Sequence, residues 1–245
     1  MKKICFIICL CFASGMVSAN TSLTVSYGSS DYILDYSYPG DDFGGTAIDE
    51  NFTSRDVAIG YKLNNDMKIG VKFGGLAEES STWESDFSNL TSVYDVSRDE
   101  ASIYATFKVS GIPLTLGYYT STLKESEVYS DGAVWGGELK NDGIFISGSH
   151  AMPLGDRYGA FAKFGFQTSS VKEDFSYTDA GGVENYGNDT SGTAWVFGGG
   201  MYYVINQGSS ITASIDQKKF SYDDMGDANL DEEITNMSVA YTVNF

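Results

Sequence analysis

The 245 residues hold a single histidine, His150, in the run Ser147-Gly148-Ser149-His150-Ala151-Met152. An imidazole acts as a general base only when a partner group holds it beside the reacting proton. No carboxylate on its own stretch of chain stands close on that side, so a structural or interfacial place is expected for it. Carboxylates themselves are abundant, in the pairs Asp41-Asp42, Glu78-Glu79, Glu173-Asp174 and Asp223-Asp224. Acid–base work would need burial to drive the two pKa values of a pair apart, and these pairs fall in stretches expected to be exposed loops. Asp227-x-Asn229-x-Asp231 opens like a calcium-binding loop. Glu232 then stands where glycine is required, and Ser238 where the closing glutamate belongs, so the motif fails. Clustered carboxylates of this kind can still hold Ca²⁺ or Mg²⁺ loosely. Cys5, Cys9 and Cys11 all lie within the first 19 residues, so the chain beyond them has no thiol for a disulfide, a nucleophile or a metal. With no phosphate-binding glycine loop, no metal cluster and no nucleophile–base pair, no cofactor is expected.

The first residues explain those cysteines. Met1-Lys2-Lys3 is followed by an apolar run from Ile4 to Ala13 and then by Val17-Ser18-Ala19 before Asn20. A basic start, a short apolar core and small residues at the −3 and −1 positions describe a secretory signal peptide over residues 1–19, cleaved between Ala19 and Asn20. The apolar run is too short for a helical span, which needs about 20 residues. Removing Lys2 and Lys3 leaves 13 basic against 33 acidic side chains, a formal net charge of −20. Nucleic acid, which is bound through Lys and Arg contacts to phosphate, is thereby excluded as a partner.

Beyond residue 20 the dominant signal is alternation with period two, the mark of strands with two chemically different faces. Met237, Val239, Tyr241, Val243 and Phe245 share one face, with Asn236, Ser238, Ala240, Thr242 and Asn244 on the other. Leu23, Val25 and Tyr27 open the series. Val57–Leu63 and Met67–Phe73 form a pair around Asn64-Asn65-Asp66, residues that suit a tight turn. Further pairs flank 110–113, 153–157 and 205–208. Ten strands result, with eight as the alternative if one pair is misread. Four short connections alternate with five longer acidic ones, at roughly 39–51, 76–99, 125–142, 170–191 and 222–232. Such sorting belongs to a transmembrane antiparallel up-and-down β-barrel, with short turns at one membrane face and long loops at the other. An even strand number puts both termini at the short-turn face. Lys62, Lys68, Lys72, Lys108, Lys163 and Lys218 share the parity of small and polar residues, as does Asp216. On the lipid face each lysine would cost up to about 2–4 kcal/mol near the midplane, so these residues are assigned to the lumen.

At this point the chain resembles the small bacterial outer-membrane β-barrel family, the group that includes outer-membrane proteins X, W and the barrel of A. The most specific element is Val239-x-Tyr241-x-Val243-x-Phe245 at the end of the chain. The resemblance implies that this alternating aromatic terminus is read by the barrel-assembly machinery during biogenesis. It also implies a place in the outer membrane of a Gram-negative cell, periplasmic termini, and contact with lipid and lipopolysaccharide. Divalent cations could bridge the acidic loops to lipopolysaccharide phosphates. Enzymatic members of such families use a histidine near the extracellular rim, whereas His150 precedes a short turn and so falls at the other end. A structural or surface-interaction role through the acidic loops is therefore expected, ahead of a narrow, anion-preferring channel and of an outer-membrane enzyme.

Overall fold

The computed structural model describes residues 20–38, 44–84, 91–225 and 228–245. The expected signal segment, including Ala19, lies outside the described residues, as do Asp41, Asp42 and Asp227. Ten strands are found among the described residues. They are β1 (Thr21–Ser37), β2 (Gly44–Lys62), β3 (Met67–Glu84), β4 (Thr91–Val109), β5 (Ile112–Tyr129), β6 (Val134–Pro153), β7 (Tyr158–Asp179), β8 (Gly182–Asn206), β9 (Ser209–Met225) and β10 (Ala228–Asn244). Each pairs antiparallel with its chain neighbours, and β1 closes on β10; β2 and β3 pair only over Ser54–Lys62 and Lys68–Leu76. The expected all-β, up-and-down barrel of ten strands is the observed fold.

The turns at one end are short: 63–66, 110–111, 154–157 and 207–208. Ser110 and Gly111 take φ of 51° and 84°, the paired left-handed geometry whose twist matches a hairpin. Asn64 Oδ1 accepts the Asp66 N–H at 2.9 Å, closing the first turn. Both ends of the described chain lie here too, where the Phe245 N–H donates to the Thr21 carbonyl at 2.9 Å.

At the other end the structure corrects the sequence reading. The stretches assigned to long loops are largely strand. β3 continues to Glu84 and β4 begins at Thr91, while β7 and β8 run together to a two-residue tip at 180–181. Strands reach 17 to 25 residues, against the roughly 9–11 that cross a bilayer. The barrel therefore continues well past any membrane as a hydrogen-bonded wall.

The two parts of that wall are built differently. Toward the short turns, Ile103, Ile144, Phe164, Phe197, Ile215, Val239 and Tyr241 face outward and are exposed. Inside lie small or polar residues such as Ser26, Thr106, Thr115, Ser214 and Thr242, joined across strands by contacts such as Thr106 Oγ1 to Thr115 Oγ1 at 2.9 Å. Further along, the apolar side turns inward. Tyr32, Leu34, Ile48, Phe52, Val96, Leu123, Leu139, Val171, Phe220 and Ile234 form a buried core within the lumen. Asp99, Thr122, Lys140 and Lys172 occupy the outer face at that level.

Candidate functional site

The interior charges sit where these two regions meet. Lys72 on β3 pairs with Asp56 on β2 at 3.0 Å, Lys163 on β7 with Asp216 on β9 at 2.7 Å, and Lys218 on β9 with Glu100 on β4 at 3.4 Å. Lys218 also lies over the rings of Phe220 and Tyr119, at 4.7 and 5.6 Å from their centroids. These groups line one cavity of about 290 Å³, together with Arg98, Ser30, Ser54 and Asn236. Glycine makes the pairing possible. A Cβ on Gly74 would collide with the Asp56 carboxylate, and one on Gly198 with that of Asp216.

Four of the expected lumen residues, Lys72, Lys163, Asp216 and Lys218, thus share one site. Lys62, Lys68 and Lys108 also face inward but lie nearer the short turns, where Lys62 and Lys68 are cross-strand partners and Lys108 faces Pro113. The structure does not bring these three into the paired cluster.

Above the cavity the lumen closes. Arg98 donates to Glu232, to Glu100 Oε1 at 3.0 Å and to Ser121 Oγ at 3.0 Å. Tyr222 donates to Glu232 and accepts from the Asn141 side-chain amide at 3.0 Å. Arg98, Tyr32, Leu123, Phe220 and Glu232 are each no more than 2 % exposed. A buried arginine is costly unless its donors are satisfied, and here three side chains take them up. Sequence reasoning missed Arg98, Asn141 and Glu232 by placing them in loops. The signal was present as parity: Val96, Arg98, Glu100 and Ser102 continue the inward register of β4 without a break.

Past Arg98 lies Glu125, which accepts from the Tyr94 hydroxyl. Burial pushes its carboxyl up to about 7; the Tyr94 bond opposes that shift and the nearby Glu173 charge adds to it. Trp135 and Phe175, the first expected in a loop, stack on β6 and β7 with centroids 4.9 Å apart. Phe87 lies outside the described residues, and Trp83 falls within β3, opposite Ser92. His150 is exposed on the outward face near the short-turn end of β6, opposite Ala162, and shares the parity of Ile144 and Met152. It lies on the opposite face of the wall from Lys163, whose cross-strand partner is the neighbouring Ser149. Among the described residues no three His, Cys, Asp or Glu side chains group as a metal site.

A closed antiparallel barrel with an apolar outer band and a charged, partly filled lumen is the architecture of bacterial outer-membrane β-barrels, and solved members share it. The outer membrane protease OmpT from Escherichia coli matches with a TM-score of 0.63 at 12% identity, over 92% of this chain and 97% of that one. The translocator domain of the autotransporter NalP from Neisseria meningitidis matches at 0.45 and 15%, over 98% and 95%. Ail, the attachment invasion locus protein of Yersinia pestis, matches at 0.34 and 12%, over 91% and 99%. At 12% identity the likeness to OmpT is one of fold. No protein-family model matches the sequence, and no curated protein is a significant sequence relative.

Proposed function

We propose that the chain is an integral outer-membrane barrel, with termini and short turns in the periplasm, that serves the envelope structurally and through surface interaction. The observation that carries this reading is the filled lumen at Arg98, below a strand-built extracellular half. A barrel of about eight strands is already filled by its own side chains. Here the inward lysines that could have coated a water path are instead paired with Asp56, Asp216 and Glu100. The extracellular half, by contrast, is a rigid platform suited to a partner. The outward position of His150 favours a non-enzymatic barrel. The exposed row Val239, Tyr241 and Phe245, with Val243 beside it, suits recognition by the barrel-assembly machinery. Carboxylates on the outer wall suit divalent cations shared with lipopolysaccharide, and unchanged lipid association after chelation would exclude that bridge.

A narrow, anion-preferring channel is the second reading, favoured by the cavity of about 290 Å³ lined by Lys72, Lys163 and Lys218. Planar-bilayer conductance of the protein separates the two. A folded but silent barrel, whose surface display increases cell adherence to a protein-coated surface, is expected. Steady anion-selective steps that vanish in a Lys72→Ala/Lys108→Ala double variant would make it a pore.

A further inference from the structure

We propose that the extracellular end of the lumen is a binding site for cationic side chains of a basic peptide, seated against the free face of the Trp135–Phe175 stack beside Glu173. This rests on the surface-interaction reading and supplies its partner class.

The first observation is a sorting of charge by face. Cross-strand partners in an antiparallel sheet share a face. Glu50 pairs with Tyr32, Glu79 and Glu125 with Val96, Glu127 with Tyr94, Glu173 with Leu139, and Glu184 with Tyr177. All six carboxylates therefore belong to the inner face beyond Arg98. Every described Lys or Arg at that level lies on the other face: Arg55 beside Tyr27, Lys219 beside Trp195, and Lys124, Lys140 and Lys172 among Glu138 and Asp174. Arg98, the floor of the compartment, is already engaged by Glu232 and Glu100. Solubility alone would not sort charge by face.

The second observation is the shape and lining of the compartment's open side. Trp135, Glu173, Phe175, Asn185, Tyr186 and Asn188 line an open, shallow cleft of about 540 Å³ on β6, β7 and β8. Trp135 and Phe175 lie nearly parallel, at an interplanar angle of 16°, and Tyr186 is exposed beside them. Aromatic faces attract ammonium and guanidinium groups, the more so when these are partly desolvated. Glu173 supplies the counter-charge, and burial raises its pKa, as befits a carboxylate lacking a cationic neighbour. Deeper in, the Tyr32 hydroxyl is fully buried with no hydrogen-bond partner, within electrostatic reach of Glu125, Tyr94 and Arg98. A bare metal ion would ignore the aromatic faces, and a neutral sugar would ignore the charge sorting. A peptide bearing Arg or Lys uses both.

The test is fluorescence anisotropy of labelled tetra-arginine with the protein purified from membranes into detergent, with tetra-citrulline as the neutral isostere. Expected is saturable binding that weakens with salt and is absent for tetra-citrulline. Trp135→Ala and Glu173→Gln should each weaken it about tenfold. Asp174→Asn, one residue along and facing outward, should leave it unchanged. Heat-modifiable gel mobility checks that each barrel is closed, and Trp135→Phe, which keeps a ring, should retain most of the affinity. Equal losses in Glu173→Gln and Asp174→Asn, or undiminished binding by Trp135→Ala, would overturn the proposal, as would tight binding of tetra-citrulline. If tetra-arginine does not bind while displaying cells still adhere, only this inference fails. If adherence is also absent and the barrel conducts, the surface-interaction reading fails as well.

Discussion

Toward the short turns the barrel wall presents Ile103, Ile144 and Phe164 outward and keeps Thr106, Thr115 and Ser214 inside. Beyond Arg98 the same strands present Asp99, Lys140 and Lys172 outward and enclose Val96, Leu139 and Val171. The first half obeys the rule of a protein dissolved in lipid, and the second that of a protein dissolved in water. Most ladders cross the boundary, as β4–β5 and β6–β7 do, whereas β2 and β3 pair only from Ser54 and Leu76 toward the short turns. The solvent alone decides which face is apolar, and the inversion takes place within a residue or two. Arg98 and Glu232 sit at that level, buried inside the lumen and paired with each other.

Breaking the join should have the largest effect. Arg98→Ala leaves Glu232 buried without its cation, which costs on the order of 3–5 kcal/mol. Urea unfolding should show that loss, and proteolysis should begin in the half beyond Arg98. An Arg98→Ala barrel as stable as the parent would mean that the two halves are not coupled there.

Next in size is a pair of substitutions that reads the boundary directly. Ile103→Lys places a charge on the lipid face and should cost about 2–4 kcal/mol in a lipid bilayer. Asp99→Lys, on the same face of the same strand but past the boundary, should change stability by no more than about 0.5 kcal/mol. Comparable losses in the two would move the membrane edge outward past Asp99. The same pair measured in urea-containing detergent and in bilayers would separate lipid effects from packing.

The inversion also decides what a reader of the sequence could see. Ile112, Leu114, Leu116 and Tyr118 alternate cleanly, and so do Met237 through Phe245, because one strand face meets lipid over its whole crossing. Strand number, closure and the inward lysines followed from that regularity. Past the boundary the apolar positions change parity, from Tyr118 outward to Tyr119 and Leu123 inward, and from Met237 outward to Ile234 inward. A parity slip rich in Asp and Glu looks like a loop. Hence Arg98, Asn141 and Glu232 were hidden, and Glu173 and Trp135 were assigned to loops rather than to a wall. The pairing of Lys163 with Asp216, by contrast, joins strands distant in sequence, and no local pattern could announce it.

A smaller effect should distinguish the halves by pH. Burial raises the Glu125 carboxyl to about 7, with Tyr94 bonded to it and Glu173 nearby. Because the folded pKa is raised, the folded state holds this proton more tightly than the unfolded chain does. The resulting stability is complete in acid and is lost as pH rises through about 7, by on the order of 1–3 kcal/mol. Protease resistance of the half beyond Arg98 should therefore fall between about pH 5 and pH 8, and Glu125→Gln should flatten that slope. A slope that survives in Glu125→Gln would assign the titration to another group.

The smallest expected change lies on the outer wall of that same half. Lys140 meets Glu138 at 2.7 Å and Asp174 at 3.9 Å, yet its side chain is 48 % exposed. Water and salt screen such a pair, so Lys140→Ala should shift stability by less than about 0.5 kcal/mol, and less still at high ionic strength. The contrast with Arg98, which bonds a carboxylate in the same way, comes entirely from what surrounds the pair. If Lys140→Ala instead cost as much as Arg98→Ala, the outer wall here would have to be covered in the membrane. The boundary on β6 would then lie beyond Lys140 rather than between Ile144 and Asp142.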